Sequence, residues 1–87
     1  MAYLLIRHKV ADFTKWKPMY EAHQSARTAA GLKDRLILRG LDNPNEVVIL
    51  FELGDVAKAR AFASSPSLKA AMEKAGVVDQ PEIHFLQ

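Results

Sequence analysis

The sequence predicts an α+β domain in which two helical segments cover one face of a four-stranded antiparallel sheet. Three observations carry this. Four short runs rich in Leu, Ile and Val recur over residues 3–10, 33–40, 46–53 and 82–86, with the length and composition of strands. Between the first and second runs, and between the third and fourth, lie stretches that open on Asp12 and Asp55 and close on Gly31 and Gly76, the start and stop signals of helices. Asp42-Asn43-Pro44-Asn45 joins the second and third runs directly; proline fixes φ there, and Asn and Asp tolerate left-handed geometry, so it is a turn. The order β-α-β-β-α-β is the split βαβ, or ferredoxin-like, motif.

Each element has its own reason. The first strand, residues 3–10, starts on Tyr3-Leu4-Leu5-Ile6. Asp12 then caps a helix by accepting from the amides of Thr14 or Lys15. That helix is expected to make a first turn over residues 13–17, kink at Pro18 and continue to Ala30, because an internal proline removes the bond to the Thr14 carbonyl and clashes with it. Gly31 supplies the left-handed residue after the last turn. The second strand is residues 33–40. The third, residues 46–53, is the clearest strand in the chain. A second helix starts after Gly54 with Asp55 as its cap and runs to about Ser64; Ser65-Pro66-Ser67 breaks and restarts it, and Gly76 closes it. Pro81 opens the last strand, Glu82-Ile83-His84-Phe85-Leu86.

The 87 residues make one domain, residues 1–87, with no repeat or linker. Hydrophobic residues at 49% and charged residues at 25% exclude a disordered chain. The absence of cysteine excludes a disulfide scaffold, a thiolate zinc site and a cysteine nucleophile. Residues 3–6 form an apolar run too short for a signal peptide or a membrane span, so a cytosolic protein with no membrane partner is expected. Residues 1–40 carry eight Lys/Arg against three Asp/Glu, and residues 41–87 carry four against seven. The net charge is only +2, and no aromatic-basic interleave or helix-turn-helix accompanies the basic half, so nucleic acid is not an expected partner.

A second subunit is expected. A sheet with helices on one side should alternate apolar and polar along each strand. In Val47-Val48-Ile49-Leu50-Phe51-Glu52-Leu53 both parities are apolar, and the first strand has Leu5 as well as Leu4 and Ile6. The simplest cover for a second apolar face is another such sheet, which makes a face-to-face homodimer. The parity is open; Ile49 or Phe51 is the position of the third strand assigned to that face.

At about 100° per residue with Trp16 at zero, Tyr20 falls near +40°, His23 near −20° and Arg27 near +20°. This places a histidine and an arginine in the centre of the apolar stripe of the first helix, where neither is usually left unpaired. They would line a pocket between helix and sheet with Trp16 and Tyr20, His23 acting as acid or base and Arg27 as an anion clamp. The alternative is that both are satisfied within the protein. A guanidinium buried there needs an anion, either Glu52 or, better placed by chain direction, the acid, enolate or phenolate of a small ligand. Trp16, Tyr20, Phe51, Phe62 and Phe85 fill the core or wall a cavity for a flat apolar ligand. His8 and Glu52, late in strands taken as parallel neighbours, form a second expected group that His84 could join. An ion pair is the favoured reading of that group, over orientation of a base or a metal set. No phosphate loop or nucleophile elbow is present.

Arg7-His8-Lys9-Val10-Ala11-Asp12-Phe13, followed by Trp16-Lys17-Pro18, His23 and Arg27, resembles the small bacterial dimeric α/β-barrel proteins of the antibiotic biosynthesis monooxygenase-like superfamily. Asp42-Asn43-Pro44-Asn45-Glu46-Val47-Val48, Phe62 with Ser65-Pro66, and Ala75-Gly76-Val77 extend the match over nearly the whole chain. The resemblance implies a ferredoxin-like fold closed into a barrel by dimerisation. It also implies a cofactor-independent monooxygenase- or cyclase-like enzyme acting on a small aromatic or polyketide-type substrate. Under it His23 and Arg27 are the candidate catalytic residues, and Trp16, Tyr20, His8, Phe51 and Glu52 the candidate substrate-binding ones, with no metal or cofactor. Trp16, Tyr20 and Arg27 are of the residue types such oxygenases use, without the inward asparagine that accompanies them there. The same superfamily contains proteins of other activities, so a non-catalytic ligand-binding or stress-associated dimer is the alternative.

Overall fold

The computed structural model describes residues 1–87. Its elements are β1 (Ala2–Lys9), α1 (Phe13–Ala22), α2 (Gln24–Ala29), β2 (Leu32–Arg39), β3 (Glu46–Leu53), α3 (Val56–Ala63), α4 (Pro66–Lys74) and β4 (Glu82–Leu86). The four strands form one sheet in the order β2-β3-β1-β4, every neighbouring pair antiparallel. This is the expected α+β, ferredoxin-like arrangement.

The caps form as their sequences dictate. The Asp12 carboxylate accepts from Thr14 N at 2.9 Å, Asp55 from Lys58 N at 3.0 Å, and Ser65 Oγ from Leu68 N at 3.2 Å. Gly31, at φ 80°, ends α2 in the left-handed region that side chains avoid. At the head of the β2–β3 turn, a Cβ on Gly40 would stand 2.7 Å from the Asn43 carbonyl oxygen, so the hairpin closes only around a glycine.

The first helix departs from expectation. It runs through Pro18 without interruption and breaks at His23 instead. Thr14 and Pro18 are both exposed, so water can take the carbonyl that proline leaves free. At His23 the backbone turns to φ −92°, ψ 8° and its N–H bonds to the Tyr20 carbonyl, a tighter turn than an α-helix makes. α2 restarts from there.

The two-residue pleat sorts the central strands. Leu4, Ile6 and His8 of β1 and Val47, Ile49, Phe51 and Leu53 of β3 are buried beneath the helices. With Val10, Trp16, Leu32 and Ala59 the apolar ones make the core. Ile49 and Phe51 therefore face the helices; the positions of β3 on the helix-free side are Val48 and Leu50. That face is apolar as well. Leu36, Leu38 and Leu86 are about half exposed there, beside Leu5, Val48 and Leu50 in register. Arg7 lies on the same face and bridges Glu46 and Glu82 at 2.6 and 2.7 Å, tying three strands together.

On β2, Asp34 pairs with Phe51 and Leu36 with Leu50, so Arg35 is an extra residue. This bulge resets the alternation. Asp34, Phe51's partner, points to the helix side, whereas Leu36 and Leu38 point to the bare side.

Asn45 fastens the start of α1 to the sheet. Its Oδ1 accepts from Phe13 N at 3.0 Å, its Nδ2 donates to the Ala11 carbonyl, and its own carbonyl takes Val10 N at 2.8 Å. Asn45→Ala leaves the Phe13 amide and Ala11 carbonyl without those partners, and is expected to cost about 1–2 kcal/mol in a urea denaturation; an unchanged midpoint would show that water replaces the side chain.

Candidate functional site

The candidate site lies between the helix-side face of β1 and β3 and the two helical segments. The β-strand period puts Ile6, His8, Ile49 and Phe51 on its floor. α1 contributes Trp16, Met19 and Tyr20, Arg27 comes from α2, and Phe62, Leu68, Met72 and Ala75 from α3, α4 and the residue that follows close the far side. They enclose about 70 Å³ of space for water-sized spheres, several times the roughly 10–15 Å³ that one water needs. The lining is overwhelmingly apolar, with aromatic rings stacked along one wall. Trp16 lies 4.9 Å from Tyr20 between ring centroids and meets His8 edge to face at 5.6 Å.

Two polar atoms in this lining lack partners. His8 is 2% exposed, and its Nδ1 is buried without a hydrogen bond; the Tyr20 hydroxyl is buried and unpaired too. Buried polar atoms are rarely left so. Burial pulls the His8 imidazole below its ordinary pKa, with the negative charge of Asp79 opposing, so the ring is neutral near pH 7. Burial also pushes the Tyr20 hydroxyl well above its ordinary value; the charge of Arg27 opposes this, and the charge of Asp34 and the approach of its carboxylate to the hydroxyl add to it. Tyr20 thus keeps its proton to donate, and His8 keeps a lone pair to accept.

Arg27 is 5% exposed, and three of its five N–H donors are engaged within the protein. Its Nε and one terminal nitrogen donate to the two Asp34 carboxylate oxygens at 3.2 and 3.1 Å, and the other terminal nitrogen donates to the Tyr20 carbonyl. The guanidinium also lies 3.7 Å over the Tyr20 ring. The anion that the sequence reading sought in Glu52 or in a ligand is therefore Asp34. Asp34 shares the helix side with buried Leu32, two residues before it, and the bulge at Arg35 then turns Leu36 and Leu38 to the other side.

The remaining expected residues separate. His23 lines the cavity but is exposed: the helix break takes it off the buried stripe, so the continuous-helix wheel holds for Trp16, Tyr20 and Arg27 and fails for His23. The expected His8–Glu52 group does not form. β1 and β3 are antiparallel, so His8 pairs with Val47 and Glu52 with Tyr3, at opposite ends. Glu52 also lies on the bare face, where Arg35 is 3.6 Å away. It is absent from the cavity, as is His84, which pairs with Leu5 on that same bare face. No three His, Asp or Glu side chains gather as a metal site requires.

A ferredoxin-like fold with an aromatic-lined cavity under its helices is the class of protein that these features define. No family model matches the sequence, and no curated protein matches it. Solved structures do. A candidate antibiotic biosynthesis monooxygenase from Bordetella bronchiseptica superposes with a TM-score of 0.79 at 12% identity, over 99% of this chain and 94% of that one. SnoaB, a cofactor-independent oxygenase from Streptomyces nogalater solved as a mutant, gives 0.71 at 14% identity, over 99% and 90%. A NIPSNAP domain protein from Burkholderia xenovorans gives 0.67 at 15%, over 100% and 93%. At these identities the likeness establishes the fold.

The buried neutral histidine has a pH signature. The unfolded chain takes up a proton below the ordinary histidine pKa of 6.5, whereas the folded chain takes it up only at lower pH. Stability is therefore complete above 6.5 and is lost as the pH falls from there toward the folded value. Denaturant midpoints at about pH 7.5 and about pH 5.5 should show the loss, and His8→Leu should remove most of the difference.

Proposed function

We propose that the cavity takes a small flat aromatic ligand bearing a hydroxyl or keto group, and that the protein acts on it as a cofactor-independent monooxygenase- or cyclase-like enzyme. The observation that carries this is the pair of unpartnered polar atoms, His8 Nδ1 and Tyr20 OH, in the lining of one apolar cavity. Trp16, Tyr20 and Phe51 offer faces for a ring, and the two polar groups suit a ligand that both donates and accepts. A phenol or enol would donate a hydrogen bond from its hydroxyl to the neutral His8 imidazole, while the Tyr20 hydroxyl donates to a ligand oxygen. Arg27 holds Tyr20 in place, and His23 stands at the exposed rim. A cofactor-independent oxygenase among the proteins of this fold supports the reading.

The working unit in this proposal is a homodimer joined through the helix-free face. Six partly exposed aliphatic side chains lie together there with an Arg7–Glu46–Glu82 cluster at one side. A bare apolar sheet of that kind gains most from a copy of itself. Leu50→Asp should shift the native mass to that of one subunit in sedimentation, or unfold the chain; a monomeric wild type of full stability refutes the dimer.

The chain's one tryptophan, Trp16, lines the cavity, so its fluorescence reports occupancy. A naphthoquinone with its hydroxyl on the benzenoid ring, uncharged at neutral pH, should quench it saturably, and Tyr20→Phe and His8→Gln should each weaken binding about tenfold. Absence of quenching by any probe of this class refutes the reading. Saturable binding with no oxygen uptake or chemical change favours the alternative, a ligand-binding dimer without catalysis.

A further inference from the structure

We propose that Asp34 sets the charge of the ligand the cavity accepts: by taking up the fork of Arg27 it makes the site selective for an uncharged aromatic over the corresponding carboxylate. This deepens the reading above and rests on it. Arg27 is the one guanidinium or ammonium side chain in the cavity lining, and it would ordinarily mark the site as an anion receptor. Its charge is already paired with a carboxylate. Both arms of its fork that face Asp34 are bonded at 3.1 and 3.2 Å, a third donor is spent on the Tyr20 carbonyl, and its flat face is covered by the Tyr20 ring at 3.7 Å.

The other titratable groups of the lining supply no replacement. His8 carries no charge near neutrality, Tyr20 keeps its proton, and His23 is on the solvent-exposed rim. A carboxylate entering this space would be stripped of water without gaining a cation, which is strongly unfavourable in an apolar cavity. A phenol or ketone meets two neutral partners in His8 and Tyr20 and pays no such penalty. Asp34 itself stays outside the cavity lining, with its side chain 37% exposed, so it acts through Arg27 as a specificity-determining residue without touching the ligand.

The test is a matched pair of probes, 2-naphthol and 2-naphthoate, titrated by calorimetry near neutral pH into the wild type, Asp34→Asn and Asp34→Glu. The wild type should bind the naphthol at least about tenfold more tightly than the naphthoate. Asp34→Asn, which frees the guanidinium, should lower that ratio by about tenfold or more, chiefly by gaining affinity for the naphthoate. Asp34→Glu, which keeps the charge, should retain the wild-type order. Equal binding of the two probes by the wild type, or a preference for the naphthoate, overturns the proposal whether or not the variants fold. So does a folded Asp34→Asn protein with an unchanged ratio. Failure of both probes to bind any of the three proteins is a different result: it defeats the aromatic-ligand reading and the charge assignment with it.

Discussion

Everything in this fold follows from the pleat of two central strands. β1 and β3 run antiparallel in unbroken register from Ala2–Leu53 to Lys9–Glu46, and each residue faces the side opposite to its neighbours. One step along the chain thus separates His8, buried under Trp16, from Arg7, which spans two carboxylates on the other side. The site and the bare apolar face share the same backbone and exchange no side chains. Their separation lets one small sheet line a cavity on one side and keep a bare apolar face on the other.

The cavity illustrates how a charge can be buried next to a neutral site. A guanidinium at 5% exposure is tolerable only with a carboxylate in bidentate contact, and the pair does more than cancel. It crosses from α2 to β2, reaches back to the α1 backbone and lies against the Tyr20 ring, so three elements are fixed around one ion pair. Tyr20 and His8 are left as neutral groups in an environment that keeps them neutral. An apolar wall, a hydrogen-bond donor and a hydrogen-bond acceptor result.

Most of the fold was legible in the sequence because its signals are local. Asp12, Asp55 and Ser65 announce helix starts by side-chain geometry within three residues, and Gly31 and Gly76 announce their ends. The double parity of residues 47–53 exposed the second apolar face. Trp16, Tyr20 and Arg27 were legible by helical phase. What failed was whatever depended on phase being reset. The helix break at His23 moved that residue off the buried stripe. The bulge at Arg35 lets Asp34 keep the helix side with Leu32 while Leu36 and Leu38 take the bare side, so a count back from Ile37 misplaces it. Treating β1 and β3 as parallel placed Glu52 beside His8, when the topology sets them at opposite ends and on opposite faces. The parity of Ile49 and Phe51 stayed open for a related reason: an all-apolar strand carries no label for its two sides.

The same bulge has a meaning for how the chain behaves in a crowded solution. β2 is an outermost strand, eight residues long, with two half-exposed leucines, and such a border invites uncontrolled growth of the sheet by recruitment of further chains. Arg35 spoils the template. A straight newcomer would find the amide and carbonyl spacing out of step beyond Asp34, and three cations, Lys33, Arg35 and Arg39, punctuate the border on either side. The irregularity that turns Leu36 and Leu38 to the bare side also gives this strand a defence against fibrillar stacking.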